Sequence, residues 1–370
     1  MPGGVLGRRS RLGQLGLAVS LAAVVAALAF AGSSVAKPTA ATSGARVVYQ
    51  AKTAKNAKVT YKDGVKYTNG LADLSIEVTP SLSPMAIFVA AKNRIFQAEG
   101  INPTITVLSN PALSNTLLLS GQYDLNDSSA QAVINTAGGG ADVKIIAPGE
   151  VGATSAADDW TKLWTLKSTG ITKLSQLAGK KIGFNALGFY TQFEVNHVLT
   201  GAGVDYKSVS MVQVPWATQV AALESGQIDA ADMSEPWFTQ AKEQLGSQVV
   251  VLDNPDWSTG GKNTPIPVGV WEVTGAFAQA NPALVNQMRK VAVRANNYVN
   301  AHPAYAKALM AKYLHLDTYV GQNMITPHYE STFPMAGWNL LVQLALQYGA
   351  IKTAPSASTI LCLTSAPCSP

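Results

Sequence analysis

The residues of this chain with the most chemistry to offer are two carboxylates set among hydroxyl and amide side chains. Asp127 stands in Asp127-Ser128-Ser129, and Glu235 in Ser234-Glu235-Pro236-Trp237. Around them the sequence places Ser81, Ser83, Asn110, Asn185, Leu187, Gly188, Trp216 and Thr218 in short segments rich in Ser, Thr, Asn and Gly. Such groups, with the free N–H groups of helix N-termini, suit a compact anion (sulfonate, carboxylate or nitrate) without a full positive charge. Asp127 and Glu235 are the acids of these segments and can receive a ligand amine. Trp216, Trp237, Phe189 and Tyr190 can supply aromatic walls. Local structure competes for the same residues. Ser83 and Ser128 fit helix caps, and so does Glu235 ahead of Pro236. Phe189 and Phe193, at helical spacing, fit a core face.

Other chemistries find little support. His197, His302, His315 and His328 are scattered, with no triad order and no metal-ligand spacing, so neither a metal nor a cofactor is expected. Asp158 and Asp159 are adjacent in a predicted loop and are expected to face solvent. Gly138-Gly139-Gly140 lacks the following Gly-Lys-Ser/Thr of a phosphate loop. Both cysteines, Cys362 and Cys368, are near the C-terminus, so the body holds no thiol nucleophile. In an oxidising compartment the two would close a small surface disulfide loop.

These segments need elements to position them. Leu74–Thr79 alternates apolar and polar residues, as a strand does. Ser83-Pro84 then opens a predicted helix over 85–97, which Gly100 ends. A strand over 104–108, a helix over 111–119 and a strand over 123–126 follow. That alternation predicts a parallel, doubly wound sheet, with ligand loops beyond the carboxyl ends of its strands. The pattern then repeats. Leu118-Leu119-Ser120-Gly121-Gln122-Tyr123-Asp124 recurs as Leu223-Glu224-Ser225-Gly226-Gln227-Ile228-Asp229, 105 residues on. Ser75–Thr79 matches Lys181–Asn185 in the same way, and the repeat is taken to set Ser128 and Ser234 at equivalent strand ends. A period this long predicts two similar lobes rather than a solenoid. A strand over 268–273 and helices over 282–300, 303–314 and 333–348 are expected to return to the first lobe, making a hinged clamshell.

Charge and composition bound the rest. The chain has 370 residues, 47% hydrophobic and only 13% charged, with a net charge of +5. Residues 1–36 carry +3 and residues 37–70 carry +6, so the remainder is acidic at −4. The folded body therefore has no electrostatic reason to bind nucleic acid. Arg8, Arg9 and Arg11, the apolar run Leu12–Ala31 and Ser34-Val35-Ala36 read as an export signal cleaved after Ala36. If uncleaved, the run is long enough to tether the protein to a membrane. Arg8-Arg9-Ser10-Arg11-Leu12 partly matches a twin-Arg signal, with Arg11 where an apolar residue is expected. The expected organisation is a signal peptide over 1–36 and a basic linker over 37–70. Domain I spans 71–170 and 262–352, domain II spans 171–261, and a tail occupies 353–370.

Several segments in this order carry a family resemblance: Ser83-Pro84 to Gly100, Leu119-Ser120-Gly121-Gln122-Tyr123-Asp124, Gly139-Gly140-Ala141-Asp142-Val143-Lys144-Ile145-Ile146, Leu177-Ala178-Gly179-Lys180-Lys181-Ile182-Gly183 and Ser234-Glu235-Pro236-Trp237. The chain resembles the substrate-binding components of ABC importers for nitrate, sulfonates, taurine and bicarbonate, a group that also includes binders of thiamine pyrimidine precursors. The resemblance implies a two-lobed α/β fold of the type II periplasmic-binding-protein kind. It also implies a periplasmic or cell-surface, monomeric, non-enzymatic protein that holds a small anionic or zwitterionic solute between its lobes. Its partners would be an ABC permease and its ATPase. Asn126-Asp127-Ser128-Ser129 and Ser234 depart from the family pattern within the ligand loops, so the family's ligands are not carried over. The alternatives are an extracellular sensor and an enzyme on the same fold, dehydratase-like or pyrimidine-synthase-like. The pyrimidine synthases use a histidine and a cysteine-rich motif that this body lacks.

Overall fold

The computed structural model describes residues 45–51, 56–108 and 110–364. The leader and Cys368 lie outside them. The strands are β1 (Arg46–Gln50), β2 (Val59–Lys62), β3 (Val65–Thr68), β4 (Leu71–Val78), β5 (Ile101–Val107), β6 (Leu125–Ser129), β7 (Val143–Pro148), β8 (Glu150–Val151), β9 (Thr161–Leu166), β10 (Lys181–Phe184), β11 (Ser210–Gln213), β12 (Ala230–Ser234), β13 (Val249–Asp253), β14 (Gly269–Thr274) and β15 (His328–Tyr329). The helices are α1 (Met85–Lys92), α2 (Ile95–Ala98), α3 (Ser114–Leu119), α4 (Ala130–Gly138), α5 (Tyr190–Gly201), α6 (Trp216–Glu224), α7 (Trp237–Leu245), α8 (Pro255–Gly260), α9 (Gly275–Ala280), α10 (Pro282–Ala301), α11 (Pro303–Leu314), α12 (Thr318–Asn323), α13 (Met335–Gln347) and α14 (Ala357–Ile360).

Two sheets with one plan organise these elements. The first runs β1-β5-β4-β6-β14-β7, with the β2–β3 hairpin attached to β4. The second runs β11-β10-β12-β9-β13. In the first, β4 is parallel to β5 and β6, while β14 is antiparallel to β6 and β7. In the second, β10 is parallel to β11 and β12, while β9 is antiparallel to β12 and β13. In each sheet the strand that has just crossed from the other lobe, β14 or β9, therefore runs antiparallel to both of its neighbours. The chain crosses once between Pro148 and Thr161, through β8, and returns between Asp253 and Gly269. This is the two-lobed periplasmic-binding-protein fold.

The repeated heptad has a physical job in both lobes. Each copy ends a helix, turns on a left-handed glycine (Gly121 φ 73°, Gly226 φ 71°) and enters a strand. The aspartate that follows ties the turn to the start of the neighbouring parallel strand. Asp124 Oδ2 accepts from Ser75 N at 2.7 Å and Ser75 Oγ at 2.6 Å, and Asp229 Oδ2 accepts from Lys181 N at 2.8 Å. Ser75 and Lys181 are the pair that the repeat aligns. The 105-residue offset of the heptad sets Ser129, not Ser128, opposite Ser234, and Asp127 opposite Asp232.

Burial explains the helices. In α10, Leu284, Val285, Met288, Val291, Ala292, Ala295 and Val299 recur at helical spacing and are buried. That stripe packs on α1, whose residues Met85–Ala91 are all buried. The predicted helix over 85–97 breaks into α1 and α2 at Arg94, which is left-handed at φ 57°.

Three expectations need correction. The basic linker over 37–70 contains strands: β1 pairs antiparallel with β5, and β2 and β3 form a hairpin. Asp63-Gly64 makes its two-residue turn with both φ positive, a strong hairpin signal that the lysine content obscured. Lysines suit such exposed edge positions because they discourage further pairing. The second sheet begins at Thr161, inside the 71–170 span assigned to domain I, because β9 inserts between β12 and β13. In the tail predicted over 353–370, the described residues through 364 dock on β7. Cys362 N donates to Ile145 O at 2.9 Å, and the buried Lys144 Nζ donates to Thr359 O at 2.7 Å. Cys362 is disulfide-bonded.

Candidate functional site

The carboxyl ends of β4, β6, β10 and β12 converge on a cleft of about 290 Å³ between the two lobes. Ser81, Ser83, Asp127, Ser128 and Ser129 face it from the first lobe, and Asn185, Leu187, Gly188, Trp216 and Ser234 from the second. Local hydrogen bonds set their positions. Ser81 Oγ lies 2.9 Å from Thr79 Oγ1 and accepts from Ser83 N at 3.2 Å. The Tyr329 hydroxyl reaches the carbonyls of Leu82 at 2.7 Å and Ser83 at 2.9 Å, holding this loop from beneath. Ser129 caps α4 by accepting from Ala132 N at 3.1 Å. In the second lobe Ser234 Oγ lies 3.1 Å from Thr161 Oγ1.

Four expected residues lie off this wall. Asn110 is exposed and accepts from Ala112 N, and Thr218 is exposed and donates to Pro215 O. Glu235 is buried and serves local structure. It accepts from Thr239 N at 3.1 Å, Thr239 Oγ1 at 2.8 Å and Ile325 N at 3.3 Å. Its competing role as a helix-end acceptor is the one the fold uses. Trp237 bonds across the lobes instead, its Nε1 donating to Pro80 O at 3.3 Å. A second bridge runs from Asn135 Nδ2 to Gly188 O at 2.7 Å, with Asn135 oriented by Gln131 Nε2 at 2.9 Å.

The cleft also holds residues the sequence reading did not single out, chiefly Glu150, Trp160, Asn115 and Asn135. Glu150 comes from β8 in the first crossing. Its carboxyl sits directly over Gly269, where an added Cβ would lie 2.0 Å from Oε2. Trp160 opens the second lobe just after Asp159. The expectation that Asp158 and Asp159 both face solvent fails for Asp159, which is fully buried and accepts from Thr161 N and Trp257 N. One signal was available for Glu150, namely its paired glycines Gly149 and Gly152 in a crossing segment. Nothing local says where that segment lands.

Electrostatics distinguish this cleft. Asp127 and Glu150 are both buried in its wall, 4% and 1% exposed. Burial raises both carboxyls above the ordinary range, and each is raised further or held by its neighbours: Asp127 by the charges of Glu150 and Glu77, Glu150 restrained by the Ser83 hydroxyl. Among the described residues no Lys, Arg or His lines the cleft. Behind the wall, burial pushes Glu77 up to about 8 and Glu272 up to about 7, with hydroxyl partners in Ser114 and Ser128. In the second lobe Asp232 rises to about 7 against Thr191, and Glu194 and Asp256 rise while facing each other. The buried Lys162 donates to Asp159 O and to Asn254 Oδ1 at 2.7 Å, tying the two crossings together.

With this geometry in place, the comparisons with known proteins become informative. Residues 83–306 match the family described as NMT1/THI5 like. The chain belongs to the NMT1/THI5-like family. A relative named "Putative binding protein" in Brucella abortus is 25% identical over 229 residues, 62% of this chain and 67% of that one. Among solved structures, the periplasmic aliphatic sulphonate binding protein of Escherichia coli superposes with a TM-score of 0.61 at 15% identity, over 76% of this chain and 89% of that one. The alkanesulfonate-binding protein of Xanthomonas axonopodis, bound to MOPS, gives 0.61 at 17%, over 77% and 94%. A desulfurization enzyme gives 0.58 at 16%, over 79% and 97%. The fold of this family therefore serves binding proteins and at least one enzyme. Among the described residues no helix is long and apolar enough to cross a membrane.

Proposed function

We propose that the chain is an extracytoplasmic solute-binding protein that captures a small organic solute between its lobes and delivers it, as a monomer, to an ABC permease and its ATPase. The observation that carries this reading is the enclosed cleft whose walls come from both lobes, bridged by the Asn135–Gly188 and Trp237–Pro80 hydrogen bonds. Two crossings permit hinged opening, and a solute touching both lobes favours the closed arrangement by its differential affinity for it. Family membership and the sulphonate-binding neighbours support the same reading. Export follows from the leader, with cleavage after Ala36, and mass analysis of the exported protein checks it.

A thermal-shift screen of small organic solutes, followed by small-angle scattering on any that stabilise, tests the central reading. A true ligand at a hundredfold excess over its Kd raises stability by about 2.7 kcal/mol. The radius of gyration should fall on saturation, and Trp237→Phe, which removes the indole N–H, should raise it in the unliganded protein. No stabilising solute, together with an unchanged radius of gyration, would sink the proposal.

The two buried cleft carboxyls Asp127 and Glu150, both raised above the ordinary range, favour a second reading, an enzyme using them as acid and base. Among the described residues the cleft lining offers no cysteine or histidine as nucleophile. Recovery of the bound solute chemically unchanged after prolonged incubation supports transport, and turnover supports the enzyme.

A further inference from the structure

We propose that the solute presents a cationic nitrogen, an amine or amidine, to Asp127 and Glu150 in the first-lobe wall. This deepens the solute-binding reading and rests on it. Three observations converge. Both carboxyls line the cleft while almost completely buried. Asp127 Oδ2 meets no donor, and Glu150, against which the Ser83 hydroxyl lies, has both oxygens outside good hydrogen-bonding geometry. Among the described residues no basic side chain lines the cleft to neutralise them.

The fold makes room for this arrangement at a cost. Gly269 leaves the space that the Glu150 carboxyl fills, and any larger residue there would collide with it. Other buried acids are also short of donors, Glu272 with both oxygens unmatched and Glu77 with one, but they lie behind the wall. Asp127 and Glu150 are the ones that line the cleft, where a donor from outside can reach them, and an unsatisfied buried carboxylate is costly until such a donor arrives. Trp160, which opens the second lobe, lines the same cleft. It is 2% exposed and leaves its indole N–H without an acceptor, a group that a solute carrying an acceptor beside its cationic nitrogen would satisfy. Its ring, with those of Tyr190 and Trp216, gives the cation aromatic surroundings. A simple oxyanion meets two acids here and no cation. A zwitterion can still set its negative end against the N-terminus of α5 or α6.

Three probes of similar size separate the cases: benzylamine, benzyl alcohol and benzenesulfonate, each at millimolar concentration near pH 7, read by thermal shift and calorimetry on the full chain. Benzylamine should stabilise most. Asp127→Asn and Glu150→Gln should each weaken its binding by about tenfold or more. Asp232→Asn, at the equivalent repeat position but away from the cleft, should leave its binding unchanged and controls for general destabilisation. If benzenesulfonate binds as well as benzylamine, or benzylamine binding survives Asp127→Asn, the cation proposal is overturned while solute binding stands. If none of the three binds, the cation proposal is overturned, while the solute-binding reading stands or falls on the wider screen and scattering.

Discussion

Asp127 and Asp232 occupy the same position of the same repeat, on β6 and β12, yet their surroundings differ. Asp232 is enclosed, hydrogen-bonded by Thr191 and grouped with Asp159, Glu194 and Asp256 behind the cleft. Asp127 opens onto the cleft beside Glu150, a residue delivered by the crossing segment and absent from the repeat. The repeated unit supplies the sheet and the position of the carboxyl. The crossing supplies the neighbour that turns one copy into a site. Duplication thus gives two equivalent frames, and function is set by the non-repeated chain laid between them.

The sharpest way to break this comparison is to remove the space that Glu150 needs. Gly269→Ala places a methyl group within 2.0 Å of Oε2 in a buried position and should cost about 2–4 kcal/mol, read by urea unfolding. Adding Glu150→Ala should recover most of that loss. Failure to recover it would mean that the glycine serves the backbone contact with Gly149 rather than the carboxyl.

The buried acids of both lobes predict the next largest effect. Glu77, Glu272 and Asp232 ionise freely in the unfolded chain, from ordinary values of 4.5, 4.5 and 3.8, but in the fold only at about 8, 7 and 7. The folded state thus holds protons that the unfolded state has lost. Stability is full below about pH 4 and is lost as pH rises through 7 to 8. The melting temperature should therefore fall between pH 5 and pH 8, by an amount worth a few kcal/mol. Glu77→Gln in the first lobe and Asp232→Asn in the second should each flatten the curve. A melting temperature that rises across this range would contradict the assigned burial.

A smaller difference separates the two repeat turns. Asp124 takes two hydrogen bonds from Ser75, whereas Asp229 takes one from Lys181 and a distant ion pair with Lys180 at 3.9 Å. Asp124→Ala should cost about 1–2 kcal/mol and Asp229→Ala about half that, measured by chemical denaturation. Equal losses would show that the backbone bond alone does the work.

The sequence by itself determined the two-lobed plan, the strand–helix alternation, the matched turns and the hydroxyl-bearing strand ends, because all of these rest on periodicity and hydrogen bonds within a few residues. Asp127, Ser128 and Ser129, expected in a ligand loop, line the cleft from the last residues of β6 rather than from a loop after it. What it left open depended on contacts between distant parts of the chain. Whether Glu235 faced a ligand or closed a helix turn was undecided locally, and Ile325, ninety residues away, supplies part of the answer. Glu150 reaches the cleft because β8 pairs with β15 and lies against Gly269, partners more than a hundred residues off. Only the tertiary structure decides such positions, since the side chain's direction is set by which strand it pairs with and not by its neighbours in sequence.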